Sequence, residues 1–327
     1  MRMKSYWIKT VDGRTALEPR NVPLPEVGPG QIMIRVRAAG LNRGEMIPGS
    51  PMHSAEKIGG TEAAGEVHAV GAGVEGWRVG DRVMGRVIGR DRGGFAEYTQ
   101  MQAHQAMHVP ANLSWTEAAA IPISFLAAYD AVVAYGRLRV GRWLLVTGAT
   151  SAVGVAAVQT GKVLGAKVIG TSGSADKLKI LSDLGLDEGI ATRAPDFAAR
   201  VLELTGNGAD LAVNCVGGTL FAECLKSLGF GGRLATVGYV DRAHHADIDL
   251  RHLHANRLVV FGISNAKVSE AGRAATAAGF VRDILPAFAE GRVRPRIDRV
   301  FPFDELPAAK AHLESNAQVG KIVVTVG

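Results

Sequence analysis

A segment of small residues follows a continuous apolar run, and its spacing is suited to binding phosphate. The apolar run extends from Trp143 to Thr147, and the small residues are Gly148-Ala149-Thr150-Ser151-Ala152-Val153-Gly154. Small side chains let backbone N–H groups approach a phosphate, and Gly154 would let the following helix pack closely on the strand. The segment therefore predicts a dinucleotide-binding turn, although an ordinary tight turn between a strand and a helix would show similar residues.

The residues about 20 positions further on bear on which nicotinamide dinucleotide would bind. A site that prefers NADH usually ends its second strand in Asp or Glu, which holds the ribose hydroxyls. This chain has Ser172 there, and its hydroxyl can hydrogen-bond a 2′-phosphate. Lys177, one helical turn further along, can pair with the same phosphate, and Arg193 is a third candidate. The pattern favours NADPH, although Lys177 taken alone is equally typical of a solvated surface.

A literal GxGxxG motif occurs elsewhere in the chain, from Gly71 to Gly76. This motif binds dinucleotides only between a strand and a helix, where the helix N-terminus meets the pyrophosphate. The residues that follow it, Trp77 to Asp81, instead predict a turn and another strand. We therefore interpret this motif as a turn.

Length and composition limit the class of protein. The chain has 327 residues, of which 47% are hydrophobic, enough for two buried cores. Its formal net charge is +6, from 37 Lys and Arg against 31 Asp and Glu, and the excess is spread along the chain. This balance mildly favours anionic ligands. With aromatic residues at only 6%, it does not predict a nucleic-acid-binding surface.

Two cysteines, Cys215 and Cys224, exclude a disulfide framework and a four-cysteine zinc site. We therefore expect a compartment that keeps thiols reduced, and we predict a cytoplasmic protein. The first residues carry basic side chains and no apolar segment, which argues against a signal peptide. No uncharged apolar stretch is long enough to predict a membrane span.

The predicted secondary structure changes character near residue 115. Residues 1–110 form short strands between glycine-rich turns, which is typical of an antiparallel β domain with long loops. Ser114 and Glu117 form a capping box that begins a helix. From residue 143 to about 263, apolar strands alternate with helices, and this βαβ series predicts a doubly wound parallel sheet. A helix over 269–290 and strands within 295–327 follow, and we expect this tail to rejoin the first domain.

Taken together, the chain resembles the medium-chain dehydrogenase/reductase superfamily, and most of all its zinc-free quinone oxidoreductase branch. The resemblance covers nearly the whole chain. Each motif is moderately specific, whereas their order and spacing together are highly specific. Besides the phosphate loop, the matching motifs are Ala38-Ala39-Gly40-Leu41-Asn42, Gly60-Thr61-Glu62-Ala63-Ala64-Gly65-Glu66-Val67, Val79-Gly80-Asp81-Arg82-Val83 and Gly320-Lys321-Ile322-Val323-Val324.

The resemblance implies an α/β fold with two domains. A GroES-like antiparallel β catalytic domain would comprise residues 1–122 together with the returning segment 267–327. A Rossmann domain with a doubly wound parallel sheet would comprise residues 123–266 and bind NADP. The resemblance also implies that the nicotinamide supplies hydride, while the protein orients acceptor and cofactor and excludes water.

The resemblance further implies that no zinc takes part. Zinc-bearing relatives place a Cys where Asn42 or Arg43 stands, and a His where Thr61 stands. A catalytic zinc needs three protein ligands and an open position, and no Cys precedes Cys215. We therefore predict no metal site. Without that Lewis acid, alcohol oxidation becomes a poor interpretation, whereas reduction of an electrophilic acceptor becomes a good one.

The resemblance assigns contacts residue by residue. Asn42 is expected at the nicotinamide and in the substrate pocket, together with Glu45, Met46 and Tyr239, although plain packing is the favoured role for Tyr239. No catalytic proton donor is identified. The expected cofactor contacts are Asn42, Ala149, Thr150, Ser151, Ala152, Val153, Ser172, Lys177, Arg193, Cys215, Val216, Val237, Gly238, Tyr239, Ile263, Ser264 and Lys321.

Three departures from the family pattern bear on cofactor affinity and on the substrate. Ala127 replaces a Thr that often precedes Ala-Tyr in the helix passing the nicotinamide, and Thr192 replaces a Tyr common beside the 2′-phosphate. The loop from Arg43 to Lys57 lacks the tyrosines that line the pocket in some quinone reductases. That loop offers instead Glu45, Met46, Met52 and His53.

Three functions remain in competition. The leading one is an NADPH-dependent, zinc-independent oxidoreductase that transfers hydride to a small electrophilic molecule, a quinone or an α,β-unsaturated carbonyl. The second is an enoyl-thioester or alkenal double-bond reductase on the same scaffold. The third is a non-enzymatic NADPH-binding protein with a structural or RNA-binding role. RNA binding is disfavoured because no basic stripe is interleaved with aromatic residues.

Two further patterns bear on metals and partners. His244-His245 and His252-x-His254 could suit a metal, but no other ligand type is concentrated there, so we interpret them as loop residues. Leu258 to Phe261 predicts an apolar edge strand that needs covering. This edge predicts a homodimer, unless a loop or a helix covers it.

Overall fold

The computed structural model describes residues 1–46, 56–87, 89 and 92–327, and it divides the chain into two units. The first, termed the β unit, comprises Met1–Ile123 and Val268–Gly327. The second, termed the α/β unit, comprises Ser124–Lys267. Met52 and His53, singled out above as residues of the Arg43–Lys57 loop, lie outside the described residues.

A long antiparallel hairpin begins the β unit. Strand β1 (Arg2–Val11) pairs with β2 (Arg14–Pro23), and β1 also pairs with a short strand, β4 (Lys57–Ile58). The two turn residues Asp12 and Gly13 both have positive φ, at 47° and 70°. A two-residue hairpin turn whose twist matches its strands requires this conformation, and Asp-Gly adopts it readily.

A larger sheet carries the core of the β unit. Its strands are β3 (Gln31–Gly40), β5 (Glu62–Val70), β6 (Arg82–Arg86), β7 (Tyr98–Gln102), β8 (Met107–His108), β15 (Ile297–Pro302) and β16 (Lys321–Thr325). They pair in the order β15-β16-β3-β5-β6-β8, and β7 pairs with β3. Val323 of β16 lies opposite Gly40 of β3 in antiparallel register. The last strand therefore joins the sheet that the early strands build.

The α/β unit contains a parallel sheet. Its strands are β9 (Trp143–Thr147), β10 (Lys167–Ser172), β11 (Glu188–Ala191), β12 (Ala209–Asn214), β13 (Leu228–Thr236) and β14 (Val259–Gly262). Their order is β11-β10-β9-β12-β13-β14, as in a doubly wound Rossmann sheet. Leu144, Leu145 and Val146 are fully buried, because a central parallel strand is covered on both faces. The predicted fold class is confirmed.

Helices cover the sheets and connect the strands. They are α1 (Trp115–Ala119), α2 (Pro122–Tyr129), α3 (Ala152–Val163), α4 (Ala175–Ser182), α5 (Ala198–Thr205), α6 (Gly218–Lys226), α7 (Leu250–Ala255), α8 (Glu270–Asp283), α9 (Leu285–Ala289) and α10 (Leu306–Glu314). The predicted capping box begins α1: Ser114 Oγ accepts from Glu117 N, and Glu117 Oε2 accepts from Ser114 N.

The single helix predicted over 269–290 is wrong in extent. The structure has two helices there, α8 and α9, separated at Ile284, whose φ is −121°. Pro286 lies in the first turn of α9, where its missing N–H is tolerated. Inside one continuous helix it would remove a hydrogen bond and clash with the preceding turn. The sequence also assigned no helix to the short segments α5, α6, α7 and α10, and His252 and His254, interpreted as loop residues, lie in α7.

The GxGxxG segment is a turn, as interpreted from the sequence. Gly71 follows the end of β5, and the next strand, β6, begins only at Arg82. Gly73 and Gly76 have φ values of 74° and 78°, which a glycine adopts freely. This motif therefore does not precede a helix.

We expect the buried strand β9 to dominate the stability of the α/β unit. Leu145→Ala removes a fully buried side chain and should lower the free energy of unfolding by about 3 kcal/mol, because a cavity remains. Leu202→Ala makes the same chemical change at a side chain that is 41% exposed, and should lower it by less than about 1 kcal/mol. Urea unfolding of the two variants measures both values. Equal losses would contradict the assignment of β9 as the central strand.

Candidate functional site

The loop between β9 and α3 has the geometry of a phosphate-binding turn. Gly148 has positive φ, at 60°, and Ser151 caps α3 by accepting a hydrogen bond from Gly154 N over 3.1 Å. A Cβ at Gly154 would lie 2.5 Å from Gly148 O and 2.8 Å from Ala149 Cα. The helix therefore packs directly on the loop, and only glycine fits there.

The start of α3 provides the groups that an anion needs. Ala149 is buried, whereas Thr150, Ser151, Ala152 and Val153 are partly exposed. The first N–H groups of a helix have no partner within the helix, and the helix dipole favours negative charge at that end. These residues are therefore suited to a pyrophosphate, which is the role predicted for them.

Hydroxyl groups and a guanidinium gather at the carboxyl end of β10. Ser172 ends the strand, with its Oγ 3.5 Å from Thr150 Oγ1. A Cβ at Gly173 would overlap the side chain of Arg193. The Arg193 guanidinium group therefore lies across Gly173, the residue next to Ser172. Lys177 lies in the first turn of α4, half-buried, and its N donates to Ser174 Oγ. Ser172 and Arg193 are thus brought together beside the loop, in an environment suited to a phosphate monoester.

A buried asparagine shapes the loop after β12, and the sequence analysis had not singled it out. Asn214 Oδ1 accepts from Thr147 Oγ1 at 2.9 Å, from Val216 N at 3.0 Å and from Gly217 N at 3.1 Å. Its Nδ2 donates to Gly217 O over 2.8 Å. The sequence did carry a signal for this role of Asn214. It is an amide side chain at the end of a buried strand, next to two small residues.

Cys215 and Val216 lie against the loop between β9 and α3. A Cβ at Gly148 would lie 3.1 Å from Val216 Cγ2 and 3.6 Å from Cys215 Cβ. Burial raises the pKa of the Cys215 thiol to about 12, against a weaker lowering by a hydrogen bond with Ser151. Cys215 is therefore a neutral, packed side chain and not a nucleophile.

The segments after β13 and β14 continue the same edge of the sheet. Val237 N donates to Asn214 O, and Ile263 N donates to Thr236 O, each at a distance of 2.9 Å. A Cβ at Gly238 would lie 3.3 Å from Cys215 O, and Ser264 is exposed. Tyr239 is half-exposed, with its ring 5.1 Å from that of His244, and it lines a groove of about 370 Å³.

A network of buried polar side chains, termed the carboxylate cluster, lies in the β unit. It consists of Asn42, Glu45, Thr61, Glu62 and Lys321. Asn42 Nδ2 lies 2.8 Å from Glu45 Oε1, 3.1 Å from Thr61 Oγ1 and 2.8 Å from Glu62 Oε1. Lys321 Nζ lies 2.5 Å from both Asn42 Oδ1 and Glu62 Oε1. Asn42 is therefore the centre of the cluster.

The two carboxylates of the cluster have different partners. Glu62 pairs with the Lys321 ammonium and also accepts from Ile123 N over 2.7 Å. Glu45 accepts from Thr61 Oγ1 at 2.6 Å and from Gly60 N at 3.0 Å. Glu62, Lys321 and Glu45 are at most 2% exposed. The cluster thus buries two carboxylates with one ammonium.

Burial raises the pKa of Glu45, and the charge of Glu62 acts in the same direction. Hydrogen bonds from Thr61 and Asn42, and the charge of Lys321, act the other way. Burial lowers the pKa of Lys57, against the opposite influence of Glu45. The protein environment around Glu45 therefore favours its neutral form.

The structure changes the interpretation of four predicted contacts. Glu45 was expected in the substrate pocket, but its side chain is 1% exposed and is hydrogen-bonded within the carboxylate cluster. Lys321 was expected at a cofactor phosphate, but its ammonium is buried against Glu62, because the strand β16 carries it into the β unit. Met46 was expected in the substrate pocket, but its side chain is 5% exposed and packs in the hydrophobic core of the β unit. Asn42 is half-buried, and both polar atoms of its amide are engaged within the cluster.

The donor set of the carboxylate cluster does not fit zinc. Catalytic zinc in this fold would need thiolate or imidazole donors, and Asn42 and Thr61 offer an amide and a hydroxyl. The Lys321 ammonium also lies where a cation would have to bind Glu62 and Asn42. Within the described residues, no group of three or more His, Cys, Asp or Glu side chains is placed to hold a metal. The same described part contains no helix that is long and apolar enough to cross a membrane.

Comparisons with family models match both units. Residues 28–111 match the alcohol dehydrogenase GroES-like domain, and residues 152–278 match the family described as zinc-binding dehydrogenase. The chain is 31% identical over 309 residues to the quinone oxidoreductase-like protein 2 homolog of Nematostella vectensis, covering 91% of this chain and 82% of that protein.

Two further similarities bear on cofactor and substrate. A spectinabilin polyketide synthase system protein, NorB of Streptomyces orinoci, is 34% identical over 310 residues, which are 93% of this chain but only 14% of that protein. A mycobacterial protein solved as a complex with NADPH matches with a TM-score of 0.86 and 25% identity, over 99% of this chain and 100% of that one.

The fold and these similarities define the class of protein. The chain is an oxidoreductase of the Rossmann type with a GroES-like domain. It belongs to the medium-chain dehydrogenase/reductase superfamily and is similar in sequence to its quinone oxidoreductase-like members.

We expect the ion pair of the carboxylate cluster to be a major determinant of stability. Glu62→Gln leaves a buried ammonium uncompensated, so the free energy of unfolding should fall by about 3 kcal/mol. Glu66→Gln, on the same strand, breaks a partly exposed pair with Arg37 and should lower it by less than about 1 kcal/mol. Urea unfolding compares the two variants. A loss at Glu62 no larger than that at Glu66 would contradict a buried charge pair.

Proposed function

We propose that the protein is an NADPH-dependent, zinc-independent oxidoreductase that transfers hydride to a quinone or to another α,β-unsaturated carbonyl compound. The observation that carries this proposal is the carboxylate cluster, in which the Lys321 ammonium takes the place of a metal cation. Alcohol oxidation in this superfamily relies on a Lewis acid that stabilises an alkoxide. An acceptor that is already electrophilic needs no such cation.

The cofactor part of the proposal rests on the α/β unit. NADPH, when bound, supplies the hydride. The residues at the start of α3 would hold its pyrophosphate, and Gly154 keeps that helix close enough to the loop to do so. Ser172, Lys177 and Arg193 would hold the 2′-phosphate, because a hydroxyl, an ammonium and a guanidinium all donate to phosphate oxygens. A site that prefers NADH would carry a carboxylate at Ser172.

An enoyl-thioester reductase is the second candidate. The 34% identity to a polyketide synthase system protein favours it, although this chain spans only 14% of that protein. The chemistry is the same, since both acceptors take hydride at a carbon conjugated to a carbonyl. What separates the two candidates is whether the pocket accepts a planar ring or an extended acyl chain.

A homodimer that pairs through β14 belongs to the same proposal. β14 is the last strand of its sheet, and Val259 and Val260 on it are each 37% exposed. An edge strand with exposed apolar side chains is stabilised by pairing with another strand. A second copy of the chain would supply that strand.

We expect Arg193 to determine cofactor preference. Arg193→Ala removes one charged hydrogen bond to the 2′-phosphate, so NADPH should bind about 10- to 100-fold more weakly, while NADH binding stays within about twofold. Arg200→Ala removes an exposed guanidinium that pairs with Glu203 and should change neither affinity. Titration followed by nicotinamide fluorescence measures both cofactors. Equal losses for NADPH and NADH would contradict the role of Arg193.

We expect a panel of acceptors to separate the two candidate reactions. With NADPH, turnover of a simple quinone or enone at least about tenfold faster than a crotonyl-type thioester supports the proposal. The opposite ranking would favour the enoyl-thioester reductase. Cofactor oxidation followed by absorbance measures both, and binding of NADPH without turnover of either class would contradict both.

A further inference from the structure

We propose that Glu45 is the acid that stores the proton needed to complete the reduction, and that it passes this proton through the hydroxyl of Thr61. This inference rests on the proposed function, because it supplies the proton donor that such a reaction needs. The observation that supports this inference is the arrangement of the carboxylate cluster.

The cluster separates one charged carboxylate from one that has only neutral donors. Glu62 is balanced by the Lys321 ammonium at 2.5 Å. The hydrogen bonds that Glu45 accepts come from the Gly60 N–H, the Thr61 hydroxyl and the Asn42 amide. One ammonium balances one carboxylate, so the second carboxylate is stabilised by carrying a proton.

Burial acts on Glu45 in the same direction. The charged and titratable groups that face it are Glu62, Lys321 and Lys57. Burial and Glu62 raise its pKa, while Lys321, Thr61 and Asn42 oppose that rise. The charge of Lys321 is already paired with Glu62, and the hydrogen bonds that Glu45 accepts come from neutral groups, so a negative charge at Glu45 would be buried with no ammonium bonded to it in the described residues.

The route out of the cluster runs through a hydroxyl. Glu45 itself is 1% exposed, and its Oε1 lies 2.6 Å from Thr61 Oγ1. A hydroxyl can accept one proton while it donates another, so Thr61 can pass a proton that Glu45 cannot deliver directly. Thr61 is 7% exposed and Asn42 is half-buried, which makes them the more accessible side of the network.

The proton balance of the reaction fits this arrangement. Hydride adds to the β-carbon of a conjugated carbonyl, and the electron pair of its C=C bond moves until the carbonyl oxygen carries the negative charge of an enolate. The Thr61 hydroxyl, which donates to Glu45 in the structure, turns towards that enolate, gives it the proton and takes the carboxyl proton of Glu45. The Glu45 carboxylate then regains a proton from solvent. Lys57, which is partly buried, is the ammonium that faces this carboxylate. One hydride and one proton are thus consumed for each acceptor reduced.

The test compares Glu45→Gln with Glu223→Gln, a matched change at a buried carboxylate of the α/β unit that accepts from Ala198 N. We expect Glu45→Gln to lower kcat for a quinone or enone at least about tenfold, with the NADPH dissociation constant within about twofold of that of the wild type. Glu223→Gln should keep kcat within about twofold. Wild-type kcat should fall as pH rises through the raised pKa of Glu45, and the residual rate of Glu45→Gln should lack that fall. Unchanged kcat and an unchanged pH profile in Glu45→Gln would overturn the inference.

Thermal unfolding gives a readout that does not depend on activity. The folded-state pKa of Glu45 is raised, so the wild type loses stability as pH rises from its ordinary value of 4.5 towards that raised pKa. A glutamine stays neutral and avoids this loss. We therefore expect the Tm of Glu45→Gln, relative to the wild type, to be higher at about pH 8 than at about pH 5. A difference that does not change with pH would show that Glu45 is ionised and would overturn the inference.

A second variant covers the case in which Glu45→Gln does not fold. Thr61→Val keeps the shape of the side chain and removes the relay hydroxyl, so it should lower kcat about as much as Glu45→Gln. Thr15→Val is its control, because Thr15 is a buried threonine that donates to Met46 O outside the cluster. Full activity of Thr61→Val would overturn the relay. If the wild type reduces neither a quinone nor an enone, the proposed function fails, whereas the Tm comparison still decides whether Glu45 is neutral.

Discussion

The ion pair between Glu62 and Lys321 is the interaction on which the β unit depends. It joins β5 to β16, two strands that are distant in the chain, and the same two side chains hold the amide of Asn42 at the end of β3. A Cβ at Gly40 would lie 2.5 Å from Glu62 Oε1 and 2.7 Å from Lys321 Cε, so glycine is required beside the pair. The geometry of the candidate active residues therefore follows from one buried charge pair. Its energetic contribution depends on complete pairing, since a buried charge without a partner is strongly destabilising.

A second close contact fixes the position of a helix in the α/β unit. Helix α3 packs on the loop after β9, with no room for a side chain at Gly154, and this contact aims the helix N-terminus at the carboxyl edge of the sheet. Asn214 then holds the neighbouring loop through three hydrogen bonds and joins it to Thr147 of β9 through a fourth. The two units thus have separate chemical tasks in the proposed function. The α/β unit would present N–H groups, hydroxyls and a guanidinium to phosphates. The β unit would hold a proton on Glu45 and an ion pair where a metal cation would otherwise bind.

Local signals predicted most of the fold. The apolar run of β9, the capping box at Ser114 and the small residues before Gly154 are each encoded within a few positions, and the structure contains all three. Long-range pairing could not be predicted in the same way. Lys321 was expected at the cofactor. Its motif alone does not show that β16 buries this side chain beside Glu62. Met46 follows a short helical turn whose direction decides between pocket and core, and the sequence carries no signal for that direction.

The most direct test of the central claim, that the Lys321 ammonium holds the carboxylate cluster without zinc, combines metal analysis with chelation. The purified protein is dialysed exhaustively against a strong zinc chelator, and its zinc content and NADPH-dependent turnover of a quinone or enone are measured before and after. We expect less than about one zinc per ten chains at the start and unchanged turnover afterwards, because the Lys321 ammonium already pairs with Glu62 and neither Asn42 nor Thr61 offers a thiolate or an imidazole. About one zinc per chain, with turnover lost on chelation and regained on adding zinc, would contradict it.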